Sequence, residues 1–174
     1  MVKSWSPFED IESQFPIKGK NIELSIAEVG ALYSIQATAE VIVEELGMPT
    51  DLGVGGTTSQ DEKRLICLGP DKWLLIAKKP IPEPGCILVD VTQTHCWLDL
   101  DGTGAMAILN NLTPFDFNRL HVGSVAATEI LGLAVIIERL TEAKFLIGTA
   151  TTNGPFLSAS LIDAIALALS LIHI

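Results

Sequence analysis

The sequence predicts an α+β fold, with mixed and antiparallel strands and packed helices, and three observations predict it. Helix-period and strand-period segments alternate without the regular strand–helix repeat that builds a parallel sheet. Short apolar runs are joined by tight turn signals, Gly69-Pro70-Asp71-Lys72 and Gly132 among them, so strands turn back on their neighbours. The 174 residues are 48% hydrophobic, enough to fill a sizeable core, and they show no internal repeat with a clear period.

Residues 1–20, with Pro7, Pro16, Gly19 and scattered charges, read as an N-terminal arm, and residues 21–174 as one domain. Residues 22–29 alternate as a half-buried strand that Gly30 breaks. Residues 35–46 place Ile35, Ala39, Ile42, Val43 and Leu46 on one helical face, with Gly47 and Pro49 as stop signals. Gly53-Val54-Gly55-Gly56-Thr57-Thr58 lacks the Lys that a phosphate loop needs to reach its ligand, and reads as a flexible surface loop before a strand. Residues 64–68 and 73–77 form a hairpin: Pro70 pre-sets one turn dihedral, Asp71 can bond its own backbone, and Trp73 pins one side of the sheet. Three prolines in residues 78–85 end the pattern.

Residues 87–91 and 96–100 read as two strands around Thr92-Gln93-Thr94. Asp101-Gly102-Thr103-Gly104 then leads into a helix over 105–111, which Thr113-Pro114 ends because a residue before proline avoids helical dihedrals. Residues 114–123 are a loop. Strands follow at 125–131, 135–140 and 144–149, with Gly132 at a turn. A last helix can be capped by Asn153 with Pro155 in its first turn. That helix is apolar nearly all round, yet Asp163 lies mid-segment and no basic flank accompanies it, so burial is favoured over a membrane span.

Charge narrows the partners. Eleven basic against 21 acidic residues give a net charge of −10, which repels polyphosphates and anionic membrane surfaces, so neither nucleic acid nor membrane is expected as a partner. A mean hydropathy of +0.42 is high for a lone monomer and calls for an interface. Cys67, Cys86 and Cys96 are odd in number and widely spaced, reading as buried thiols of a reducing compartment rather than as disulfides or zinc ligands. The acidic N-terminus lacks the apolar stretch of a secretion signal, and the expected location is cytoplasmic.

The chemistry-bearing residues form no familiar constellation. His95 and Cys96 are adjacent on a strand and point to opposite faces, so they cannot act as a base–nucleophile pair. His121 lies in a loop and His173 near the end of the sequence. Asp90, Asp99, Asp101 and Asp116 sit near strand ends or in loops, where acids are mostly solvated. No catalytic, cofactor-binding or metal-ligating residue is assigned.

The ordered segments LGPDKWLLI (68–76), VDVTQTHCWLDLDGTGAMAILNNLTPFDFN (89–118) and VGSVAATEILGLAVIIERL (122–140) resemble the gamma subunit family of heterotetrameric sarcosine oxidase. In that family Glu stands where Lys72 is, Ser where Thr92 is, and a Pro-Leu-Asp-Leu segment where Pro114-Phe115-Asp116-Phe117 is. The resemblance covers about residues 20–168 in order. It implies the fold shared by the folate-binding domain of aminomethyltransferases and the N-terminal domain of a tRNA-modifying GTPase. It also implies a role as the non-catalytic subunit of an enzyme that oxidatively demethylates sarcosine to glycine, with tetrahydrofolate as one-carbon acceptor. FAD, FMN, NAD and tetrahydrofolate would then sit on larger flavin-bearing partner subunits and none on this chain. Gly69, Pro70, Asp71, Trp73, Asp90 and Asp116 carry over as fold and interface determinants. The family's helix before the Val-Asp-Val strand has no counterpart in the short 78–85 connection, which bears on the full assembly.

Two other readings stand beside it. One is a stand-alone folate-binding aminomethyltransferase-like protein, though the Lys-Gly-Cys-Tyr-x-Gly-Gln motif of the related iron–sulfur assembly factor is missing. The other is a ligand-free interaction module of the same fold. On the favoured reading the last helix is covered by its own sheet on one face, while Leu161, Ile165 and Leu169 on the other meet a flavin-bearing subunit. Without that subunit they would drive self-association.

Overall fold

The computed structural model describes residues 6–81 and 87–170, the side chains of 169 and 170 excepted. In chain order its strands begin with β1 (Ile17–Gly19), β2 (Ile22–Ile26) and β3 (Ala31–Gln36), followed by helix α1 (Ala39–Leu46). Next come β4 (Thr57–Gln60), β5 (Lys63–Gly69), β6 (Lys72–Ala77), β7 (Leu88–Asp90), β8 (His95–Asp101) and helix α2 (Ala105–Leu112). The chain closes with β9 (Val125–Ile130), β10 (Leu133–Arg139), β11 (Lys144–Ala150) and helix α3 (Gly154–Ser170). The α+β class is as the sequence predicts.

Two antiparallel sheets, ordered β1-β2-β8-β11-β10-β9 and β4-β5-β6-β3-β7, lie face to face. Period-2 alternation in the central strands makes the layers. In β8, Cys96, Leu98 and Leu100 enter the core under α2 and α3, whereas Trp97 enters the seam between the sheets. In β6, Trp73, Leu75 and Ala77 face the α1 side, and Leu74 and Ile76 face the seam. The result is helix, sheet, sheet, helix, with three apolar clusters between the layers. Helix α1 has only eight residues, too few to persist alone, and its buried Ile42 anchors it to the second sheet.

The seam depends on one glycine. Gly148 of β11 lies opposite Trp97, and a Cβ there would sit 2.3 Å from the indole ring. Gly148→Ala is therefore expected to cost roughly 1–3 kcal/mol by overpacking. Urea denaturation should show a lower midpoint with an unchanged slope. An unchanged midpoint would mean that the ring moves aside freely.

Several expectations need correction. Residues 35–46 are not one helix: Ile35 belongs to β3, the helix starts at Ala39, and Val43 is exposed. The two strands around Thr92-Gln93-Thr94 do not pair with each other. β7 pairs with β3, and the chain then crosses the seam so that β8 pairs with β2 and β11. The glycine loop at 53–56 is pinned: Gly55 N–H donates to Cys67 O (2.8 Å), Cys67 N–H to Gly56 O (3.0 Å) and Val125 N–H to Gly55 O (2.7 Å). It ties β5 to β9 across the two sheets, and Gly55 has φ 83 with no room for a side chain beside Val125 O. The N-terminal arm, by contrast, needs no correction over its described part: it packs on the domain, with Phe8 buried in the helix-side core, Phe15 packed beside it and β1 paired to β2.

Candidate interaction surface

The Gly69-Pro70-Asp71 corner is built into the second sheet. Asp71 takes φ 54, a left-handed conformation that an Asp side chain tolerates. Its carbonyl accepts from Ala37 N–H (3.1 Å), while the Trp73 indole Nε1–H donates to Ala37 O (3.0 Å). The hairpin tip and the start of the α1 segment are thus joined from both sides. Trp73 is 5% exposed.

Two of the acids singled out in the sequence, Asp90 and Asp116, hold turns. Asp90 Oδ1 accepts from Thr92 N–H (2.9 Å), and bonds from Thr92 hold the Asp90 carboxyl below its ordinary pKa. Thr92 Oγ1 in turn accepts from Leu32 N–H (2.9 Å), fastening the crossover to β3. Asp116 Oδ1 accepts from Asn118 N–H (3.0 Å) and from its Nδ2 (2.8 Å), capping the short turn Phe117–Arg119. That turn drives Phe117 into the core, edge-on to Phe145 with ring centroids 5.8 Å apart. Asp99 pairs with Lys144 at 3.3 Å.

His95 and Cys96 diverge as expected. His95 Nδ1 lies 2.9 Å from Thr94 Oγ1, and burial pushes the ring's pKa down. Cys96 lies in the core beneath α3, where burial pushes its thiol up to about 11. A thiol so raised stays protonated at neutral pH and is a poor nucleophile. His121 is exposed, and Cys86 and His173 lie outside the described residues. Among the described residues no three metal-binding side chains gather, and no helix is long and apolar enough to cross a membrane.

Two clefts remain. A polar one of about 790 Å³ opens where the β4–β5 turn meets the β2–β3 connection. Most of its charges are matched within the chain: Lys78 with Glu62 (2.9 Å), Asp99 with Lys144, and Arg64 with Glu138 (3.0 Å). The other is an apolar groove of about 570 Å³ between α2 and the second half of α3, walled by Ala107 and Leu112 on one side and Ala164, Leu167 and Ala168 on the other.

Comparison with solved structures finds the heterotetrameric sarcosine oxidase from Corynebacterium sp. U-96, in complex with pyrrole 2-carboxylate. One of its chains superposes with a TM-score of 0.81, over 93% of this chain and 94% of that one, at 19% identity. This chain has the fold of a sarcosine oxidase chain. No family model and no curated protein matches the sequence. The sarcosine oxidase fold survives at so low an identity because it asks for alternation and turn geometry, which many residue choices satisfy.

Helix α3 turns the other way from the sequence expectation. Leu161 and Ile165 are buried in the chain's own core beside Leu157, and the side chain of Leu169 lies outside the described residues. The outward face instead presents Phe156, 55% exposed, and Leu167, 64% exposed. The signal for this was Asp163, the one charge in the helix, which must face water. At 100° per residue Phe156 and Leu167 fall on the same side as Asp163.

Proposed function

We propose that this chain is the non-catalytic, gamma-type subunit of a flavin-dependent, sarcosine-oxidising hetero-oligomer in the cytoplasm. The observation that carries the reading is the superposition through nearly the whole of both chains on one chain of a heterotetrameric sarcosine oxidase. The ordered motifs at 68–76, 89–118 and 122–140 support it, as does the use to which the chemistry-bearing residues are put. Asp90 and Asp116 cap turns, Trp73 and Cys96 fill cores, and Cys96 turns away from His95. On this reading sarcosine is oxidised on the larger partner subunits, which hold FAD, FMN, NAD and tetrahydrofolate and pass on the one-carbon unit. This chain contributes a rigid two-sheet body and an apolar docking face. Its matched positions Gly69, Pro70, Asp71, Trp73, Asp90 and Asp116 act by holding that body in shape.

The expected result is that the purified chain shows no turnover of sarcosine with or without tetrahydrofolate. Co-expressed with the large flavin-bearing chains of its own organism, it should co-elute with them in fixed stoichiometry and in an active complex. Turnover by the chain alone, or its elution apart from an active complex, would overturn the reading.

A further inference from the structure

We propose that the groove between α2 and α3 receives an amphipathic helix of another polypeptide, one that carries a Lys or Arg at the edge of its apolar face, opposite Asp163. The proposal rests on the reading of this chain as an assembly subunit and names the chemistry of the segment it would hold. Ala107, Ala164 and Ala168 keep the groove walls low, so a helix backbone can approach closely and set its side chains at i, i+3, i+4 and i+7 between them. Leu167 belongs both to the groove wall and to the outward face of α3, so the apolar surface runs on from the groove toward Phe156. Asp163 lies next to Ala164 and one turn before Leu167, both of which line the groove, and is exposed, a negative charge beside an apolar site.

That charge selects the occupant. In a second copy packed two-fold on the same face, Phe156 would meet Leu167 of its mate. The two Asp163 carboxylates would then be brought close together, in chains that each carry a net charge of −10. Like charges at a desolvated rim oppose such a pair, whereas a basic side chain on a different partner is drawn to it.

The test uses a labelled helical peptide of about four turns, apolar on one face with Lys at its edge, and a twin with Glu in place of Lys. Binding is read by fluorescence anisotropy and mapped by amide shifts. The Lys peptide should bind and shift Ala107, Ala164 and Leu167, and the Glu twin should not. Asp163→Asn should weaken binding about three- to fivefold, and Glu44→Gln, an equal charge change on exposed α1, should leave it unchanged. Equal binding of both peptides, equal loss from both substitutions, shifts centred elsewhere, or a homodimer formed through Leu167 would overturn the proposal. Co-expression keeps the two readings apart. If the active complex forms with wild type and equally with Leu167→Asp, this site is not the dock although the subunit role stands. If peptides bind the groove but no complex forms, the role fails and the site remains.

Discussion

Trp73→Ala is expected to destabilise the protein by about 3–5 kcal/mol, the range for truncating a large buried aromatic. The ring is 5% exposed and packs in the cluster between α1 and the second sheet, so its loss leaves a cavity that neighbouring β3 and β5 can close only by shifting. The change also leaves the Ala37 carbonyl, which accepts the indole N–H at 3.0 Å, without that donor. Trp73→Phe separates the two effects. It keeps most of the packing and loses the bond, and should cost about 1–2 kcal/mol. Denaturation midpoints at constant slope give both numbers. A loss under about 1 kcal/mol for the Ala variant would mean that the corner is held by Pro70 and Asp71 without the ring.

That corner was legible in the sequence because its causes are local: a proline, a residue that tolerates positive φ, and apolar runs on either side. The same holds for the β9–β10 hairpin, where Leu131 and Gly132 take φ 49 and φ 84. The strand β3 was not legible. It lies between β6 and β7 and buries Leu32 in the seam while Ala31, Tyr33 and Ile35 face the α1 side. Its first three residues are buried on both faces and only 33–36 alternate, too short a run to mark a strand, and Ile35 happens to stand at helical spacing from Ala39 and Ile42. β4 was missed for the opposite reason, since an edge strand of Thr57, Thr58, Ser59 and Gln60 buries no apolar residue. The crossing from β7 to β8 is a property of pairing between distant segments, and local pattern does not carry it. For α3, an apolar character on all sides hid which face was inward, although Asp163 held the answer.

Arg64→Leu is expected to cost about 3–5 kcal/mol near neutral pH, well beyond the cost of Glu138→Leu. The two residues join the sheets, Arg64 from β5 and Glu138 from β10, with Nη2 and Oε2 3.0 Å apart. The Glu138 side chain is 4% exposed and that of Arg64 26%. Although the charges touch, Glu138 Oε2 and Arg64 Nε lack a hydrogen bond of proper geometry, so the attraction is mainly ionic. Removing Arg64 strands a carboxylate out of reach of water, whereas removing Glu138 leaves a guanidinium that can still be hydrated, at a cost of roughly 1 kcal/mol. Replacing both with leucine should return stability to near wild type or above it, because neither charge is then desolvated. The pH dependence fixes the cause. Burial pushes the Glu138 pKa above its ordinary 4.5, and the Arg64 charge opposes that rise only in part. A carboxyl raised in the folded state contributes stability that is fully present below pH 4.5 and is lost as pH climbs through the folded value. Without Arg64 the rise is larger, so the Arg64→Leu penalty should shrink steadily as pH is lowered toward about 4, while the double variant shows no such trend. Denaturation midpoints across that range decide the matter: equal penalties for the two single changes, or an Arg64→Leu penalty indifferent to pH, would mean that water already reaches Glu138 at the seam.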